Sequence, residues 1–316
     1  MPFLETTLMI AMVSAVLATG STSDMARALT DPTDYSWIKK FATVGDSFTA
    51  GIGSGGLYST TDNSWECSRY SYTYPMIMNH FFGSSVTNFT YSACSRAIST
   101  EIFEQINALD SDQDLVVMTA RGNDLCLSHI IDACIAGLGP SDVTCGAAVA
   151  NAHSALGSNG YFKQNIKDLL TALDSKMATN GIVVQVLYAQ YFNDKIDACT
   201  TEYWQVETTT GLPLNRDRRT QFNSLVVQTN AVIQEAVDEV AATAKTMKVV
   251  TANWDPWAPL TGGQFCELGA SLDPRGKSNV DVMFFKLFTG VSVPLVVLTT
   301  CNSTTRRTSL RRTNEA

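Results

Sequence analysis

Gly45-Asp46-Ser47 closes the apolar run Phe41-Ala42-Thr43-Val44 and turns at once into the small-residue stretch Phe48-Thr49-Ala50-Gly51. A buried strand ending this way delivers a serine to the rim of a sheet, at the N-terminus of the next helix. Its hydroxyl can act there as a nucleophile, and the N–H groups of the turn can hold a developing oxyanion. Taken alone, the tripeptide reads more simply as a strand followed by a Gly/Ser turn, because short motifs recur by chance. A second strand end carries matching chemistry. Leu115-Val116-Val117-Met118-Thr119-Ala120 runs into Arg121-Gly122-Asn123-Asp124. The Asn123 side-chain amide can donate to an oxyanion beside a nucleophilic serine. Alone, Asn123-Asp124 reads more simply as a helix N-cap with an acidic first turn. Gly45, Asp46, Gly122 and Asp124 complete the neighbourhood of the two strand ends.

Both ends need a parallel sheet to bring them together. Beyond the strand ending at Gly45, residues 85–93, 114–120, 181–190 and 248–253 read as buried strands, rich in Val, Ile, Leu and aromatics and bounded by turn residues. Helical patterns separate them at 70–82, 100–109, 161–180 and 215–247. Phe162, Ile166, Leu169, Leu170 and Leu173 share one face of the third. Phe222, Leu225, Val226, Thr229, Val232, Ile233, Val237 and Val240 recur at helical spacing in the fourth. Strands alternating with helices predict a mainly parallel sheet covered on both faces. Active-site residues of such a sheet lie at the carboxyl ends of its strands. No repeat or linker interrupts the pattern, so one domain is expected over 36–289.

The net charge of −8 over 316 residues argues against nucleic acid or an anionic membrane as partner. The apolar run Leu8–Ala18 followed by small residues reads as the core of a secretory signal over 1–20, too short to span a membrane. No Lys or Arg precedes it, which fits a signal less well and leaves a buried N-terminal helix as the alternative. Eight cysteines agree with an oxidising compartment and lack the paired short spacing of a zinc site. Asn88-Phe89-Thr90 and Asn302-Ser303-Thr304 are N-glycosylation sequons, meaningful in a secreted chain. Residues 290–316 are Ser/Thr-rich with Arg306, Arg307, Arg311 and Arg312, and read as a disordered tail.

The two strand ends together resemble the SGNH (GDSL-type) hydrolase superfamily. Gly45-Asp46-Ser47 matches its first block and Gly122-Asn123-Asp124 most of its third. Trp65-Glu66-Cys67-Ser68-Arg69-Tyr70, Tyr74-Pro75, Ser92-Ala93-Cys94-Ser95, Asp132-Ala133-Cys134 and Phe265-Cys266-Glu267 resemble its secreted, disulfide-bearing esterase and lipase branch. The resemblance covers roughly 41–288. It implies a flavodoxin-like three-layer α/β/α sandwich on a five-stranded sheet, and hydrolysis of carboxylic esters without metal or cofactor. It implies a secreted, monomeric enzyme acting on a small ester or lipid. Ser47 is the implied nucleophile. Its own N–H, the Arg96 N–H and the Asn123 side chain are the implied oxyanion donors. Disulfides Cys67–Cys94, Cys134–Cys145 and Cys199–Cys266 are implied too, leaving Cys126 and Cys301 either free or paired with each other.

Three departures bear on activity. Arginines stand at 96 and 121, where the family has glycine; each puts a Cβ and a long cation where the backbone needs positive φ. They either fill the pocket, reshape it for an anionic substrate, or point outward. The family's general base is a histidine near the C-terminus, yet the only histidines here are His80, His129 and His153. His80 reads as a helix-face residue, His129 as too far along its helix to reach Ser47, and His153 as part of a polar loop or helix start. The expectation is that the C-terminal histidine block is missing after about Phe288. Two functions follow: an active ester hydrolase, or an inactive relative that binds a lipid or glycan. A third, dinucleotide binding through Gly51-Ile52-Gly53-Ser54-Gly55-Gly56, is disfavoured, because that fingerprint follows its strand directly. Asp255 in Trp254-Asp255-Pro256-Trp257 follows the last strand and is a further candidate for lining the site; packing is the simpler role for both tryptophans.

Overall fold

A computed structural model describes residues 34–136, 140–157, 161–201, 205–206 and 209–269. The expected signal segment, the second sequon, Cys301 and the tail lie outside the described residues. In chain order the elements are β1 (Lys40–Gly45), α1 (Ser47–Ala50), α2 (Ser64–Cys67), α3 (Tyr74–Phe82), β2 (Asn88–Tyr91), α4 (Ser99–Asn107), β3 (Gln113–Thr119), α5 (Leu127–Ile131), α6 (Asp142–Leu156), α7 (Tyr161–Asp174), β4 (Met177–Val186), β5 (Gln205–Val206), β6 (Thr209–Thr210), α8 (Arg216–Ala241), β7 (Lys248–Ala252) and α9 (Trp257–Leu260). The described residues form two compact units. The first holds 34–120, Gln164–Tyr188 and Ile233–Trp254; the second holds Arg121–Lys163, Ala189–Val232 and 255–269.

The first unit contains a five-stranded, all-parallel sheet in the order β2-β1-β3-β4-β7. This is the flavodoxin-like order, with its switch point between β1 and β3, where ligands enter the crevice beyond the strand carboxyl ends. The expected α/β class and five strands are therefore present. Residues Phe41, Val44, Val116, Val117 and Met118 are wholly buried, as central strands covered on both faces must be. Phe41 and Val117 pack with Ile38, Met78, Phe82, Val184 and Val186, and Trp254 lies against this core. No helix among the described residues is long and apolar enough to cross a membrane.

Several boundaries differ from the sequence reading for physical reasons. α3 starts at Tyr74, because the Thr73 hydroxyl caps it, accepting from the Met76 N–H, and Pro75 sits in its first turn. α7 stops at Asp174, and β4 begins as early as Met177, which pairs with Gln113. The register then jumps, with Ile182 opposite Leu115. Asn180 takes a left-handed φ of 65° in this bulge, and a Cβ on Gly181 would strike the Gln113 carbonyl. The apolar face read for α7 is completely buried. α6 escaped the sequence reading: its small residues give almost no amphipathic contrast. Ser141 and Thr144 cap it reciprocally. His153 therefore lies in the last turn of a helix rather than in a loop.

α8 ends at Ala241, short of the expected 247, because the segment beyond it is claimed by Asp174. That carboxylate accepts from the N–H groups of Lys245 (3.2 Å), Thr246 (2.9 Å) and Met247 (3.0 Å). Burial pushes its pKa up, but these three donors and the Lys245 charge outweigh burial and hold it below the usual carboxylate value. A depressed folded pKa gives stability that is present above the unfolded pKa of about 4 and is lost as pH falls through the folded value. Asp174→Asn should therefore flatten the acid limb of stability. In urea unfolding from pH 5 down to pH 2, the native protein should lose more stability than the variant; parallel losses would contradict this role.

Candidate active site

In the first unit, Ser47 opens α1 immediately beyond the carboxyl end of β1, beside the switch point. The turn that carries it is fixed at three places. Gly45 adopts a φ of 132°, and a Cβ there would collide with the Thr119 carbonyl on β3. Only glycine fits this close approach to the neighbouring strand. The Gln105 side chain on α4 clamps the Gly45 peptide from both sides: its Oε1 accepts from the Gly45 N–H at 2.7 Å, and its Nε2 donates to the Gly45 carbonyl at 3.1 Å. Asp46 caps α1, its Oδ1 accepting from the Phe48 N–H at 3.0 Å.

Asp46 is itself buried, and its carboxylate is satisfied by two hydroxyls. Thr119 donates to Oδ1 at 2.7 Å and Tyr188, just past β4, donates to Oδ2 at 2.5 Å. The Tyr188 ring meets Phe48 edge-on at 5.1 Å. Thr119 also bonds the Thr49 hydroxyl at 2.7 Å, which reaches the Tyr74 hydroxyl at 2.6 Å. Burial, with the Asp46 charge adding to it, pushes the Tyr74 phenol well above its ordinary pKa, so it stays neutral. A network fully satisfied in this way rigidifies the turn.

Ser47 is half-buried. Its carbonyl accepts from the Gly51 N–H, but its own N–H and hydroxyl make no hydrogen bond among the described residues. The first-turn donors of α1 thus divide: Phe48 and Thr49 N–H groups are used internally, by Asp46 and by the Thr119 hydroxyl, and the Ser47 N–H is available to a ligand oxygen. Cys94 donates to the Gly45 carbonyl at 3.0 Å, which sets the segment leading to Arg96 beside this turn. The Arg96 N–H likewise makes no hydrogen bond among the described residues. Arg96 takes a φ of 70° and its side chain is exposed, so it points outward and does not fill a pocket. The expected disulfide Cys67–Cys94 anchors this segment.

The second unit holds the Arg121–Asp124 strand end. Arg121 has a φ of 95° and Cys126 one of 60°, flanking a 3-10 turn over Gly122–Leu125. A non-glycine residue in the left-handed region costs about 1–2 kcal/mol. Arg121 is completely buried, unlike Arg96, and its Nη1 lies 2.6 Å from Asp124 Oδ1. Its guanidinium stands 4.5 Å from the Phe162 ring centre and 5.7 Å from that of Tyr161. The guanidinium is wholly buried and ion-paired with Asp124, which disfavours the reading of Arg121 as a receptor for an anionic substrate. Gly122 and Asn123 are half-buried, whereas Asp124 and Leu125 are buried.

The three histidines stand apart from Ser47 in bonding. His80 is exposed on the last turn of α3, and His129 is exposed on α5. His153 Nδ1 lies 2.9 Å from Gln228 Oε1. No histidine bonds the Ser47 hydroxyl. Asp255 is engaged by Gln190, whose N–H and Nε2 donate to its two carboxylate oxygens at 2.7 and 2.9 Å. Trp254 donates to the Leu187 carbonyl and packs on the core. The Gly51–Gly56 stretch begins as the C-cap of α1, not at a strand end, and so lacks the context of a dinucleotide loop. Cys134–Cys145 and Cys199–Cys266 form as expected, and Cys126 is disulfide-bonded rather than free.

Sequence reasoning missed Gln105, Thr119, Tyr188 and Tyr74. Gln105 was detectable: it lies on the buried face of α4, between Ile102 and Ile106. Tyr188 lies near the carboxyl end of the predicted strand 181–190, where chemistry-bearing residues are expected.

No protein-family model and no curated protein matches the sequence. Among solved structures, the chain is similar to phospholipase A1 from Streptomyces albidoflavus NA297, with a TM-score of 0.56 and 22% identity over 73% of this chain and 84% of that one. It is similar also to an extracellular lipase from Streptomyces rimosus, with a TM-score of 0.55 and 21% identity over 73% of this chain and 86% of that one. At these identities the likeness is one of architecture: the chain has the flavodoxin-like α/β fold that these two lipolytic enzymes share.

Proposed function

We propose that the chain is a secreted SGNH-type serine hydrolase acting on carboxylic esters of small alcohols or lipids. The observation that carries this reading is the Ser47 turn. It is locked by Asp46, Thr119, Tyr188 and Gln105, while the Ser47 N–H and hydroxyl are left without partners among the described residues. A protein that only needed a strand-to-helix turn would have no use for an unbonded serine on so constrained a backbone. In this mechanism Ser47 Oγ attacks the ester carbonyl as its proton passes to solvent water or hydroxide, and solvent returns a proton to the alkoxide that leaves. The N–H groups of Ser47 and Arg96 and the Asn123 side-chain amide hold the oxyanion. Collapse expels the alcohol and leaves an acyl-enzyme, which water hydrolyses. The fold of two lipolytic enzymes and the disulfides support the substrate class and secretion.

One observation favours a second reading, that of a catalytically impaired protein retaining the pocket for a lipid or glycan: no histidine is hydrogen-bonded to Ser47. Turnover of p-nitrophenyl esters of graded chain length, followed against pH, separates the two. The hydrolase reading predicts measurable turnover that continues to rise above pH 8, because among the described residues no histidine is hydrogen-bonded to the Ser47 hydroxyl to serve as its base. Absence of turnover from folded protein favours the impaired form.

A further inference from the structure

We infer that Arg121 is a positioning residue for Asn123, an internal strut that aims the Asn123 amide. The inference rests on the oxyanion role proposed above for Asn123.

A buried guanidinium on a left-handed backbone is doubly unfavourable, so its surroundings must offset it. The contacts that offset it gather around one residue. Arg121 reaches forward to the Asp124 carboxylate at 2.6 Å, so that the ion pair spans Asn123 in sequence. The Asp124 N–H donates back to the Arg121 carbonyl at 3.1 Å, and the Cys126 N–H donates to the Asn123 carbonyl at 3.0 Å. The Tyr161 hydroxyl holds the Asp124 carbonyl at 3.3 Å, and the Phe162 ring supports the guanidinium face at 4.5 Å. Arg121, Asp124 and Leu125 are thereby sunk into the unit, and Gly122 and Asn123 are the residues of the turn left nearer its surface. A planar guanidinium can pair with a carboxylate while its face rests on an aromatic ring.

A double-mutant cycle tests the inference. Arg121→Met, Asn123→Ala and the double variant are compared for kcat and KM on a p-nitrophenyl ester. Displacing a donor by a fraction of its reach is expected to cost about 10- to 100-fold. Arg121→Met should lower kcat by that factor with KM little changed. It should lower kcat no further once Asn123 is alanine, and Arg121→Lys should restore part of the loss. Equal losses in both backgrounds would overturn the inference, because Arg121 would then act independently of Asn123. A second readout does not need turnover. In nitrogen-15-labelled protein the side-chain amide pair of Asn123 should shift and broaden in Arg121→Met, or in Arg121→Lys if the methionine variant does not fold. An unchanged Asn123 pair overturns the inference whatever the activity. An unchanged kcat in Asn123→Ala instead overturns the oxyanion reading, and the amide signal then decides on Arg121 alone.

Discussion

Ser47→Ala is expected to lower kcat on an activated ester by about 10²- to 10⁴-fold while leaving KM within about threefold. The magnitude follows from what the site contains. Removing a serine nucleophile served by an imidazole costs about 10⁶ in rate in a well-studied protease. General-base assistance accounts for about 10² to 10⁴ of such a rate. Among the described residues no histidine bonds the hydroxyl, so that share is left out of the expected loss. What the variant forfeits is the covalent route. The proposed oxyanion donors remain, because the Ser47 and Arg96 N–H groups belong to the backbone. The turn also survives, because Asp46, Thr119, Tyr188 and Gln105 hold it without using the Ser47 side chain. Steady-state kinetics at pH 8 check this. A loss below about threefold would mean that ester turnover, if present, does not pass through Ser47.

The largest expected effect on stability lies at the other strand end. Asp124→Ala should cost about 3–5 kcal/mol, read as the change in unfolding free energy in urea. The Arg121–Asp124 pair is almost wholly buried, so desolvation of both charges is already incurred on folding. Removing the carboxylate takes the Asp124 ion pair from a wholly buried guanidinium, on a backbone that already carries left-handed strain. Replacing both residues, as in Arg121→Met with Asp124→Leu, removes both charges and should recover most of the loss. A cost under about 1 kcal/mol for Asp124→Ala would show that the pair is screened and holds nothing. The opposite placement of Arg96, exposed at a similar positive φ, predicts no comparable charge effect there.

The contrast between these two arginines shows where the sequence stops being informative. Both stand at positions where the resemblance leads one to expect glycine, and positive φ at both follows from that expectation and is found. Whether each side chain turns inward depends on its partners. Phe162 and Asp124 draw Arg121 in, whereas Arg96 stays exposed. The strands were readable because β1 and β3 are buried on both faces, which demands unbroken apolar runs ending at Gly45 and Thr119. Helix ends were less readable where a remote side chain sets them, as Asp174 does for the segment after α8. α6 was not readable because small residues such as Ala148 and Ala152 pack by fitting closely rather than by contrast with a polar face. The site followed the same rule. Ser47 stands in a local motif, whereas Tyr188 and Gln105 reach its turn from 142 and 60 residues away, at Asp46 and Gly45.

The central claim is that Ser47 is a nucleophile, and covalent capture tests it most directly. The protein is incubated with an alkyl fluorophosphonate at pH 8, digested and analysed by mass spectrometry. The account predicts one phosphonate, carried by the peptide containing Ser47, with labelling slowed by competing ester and abolished in Ser47→Ala. Absence of label on folded native protein, or label on another residue that persists in Ser47→Ala, would contradict it.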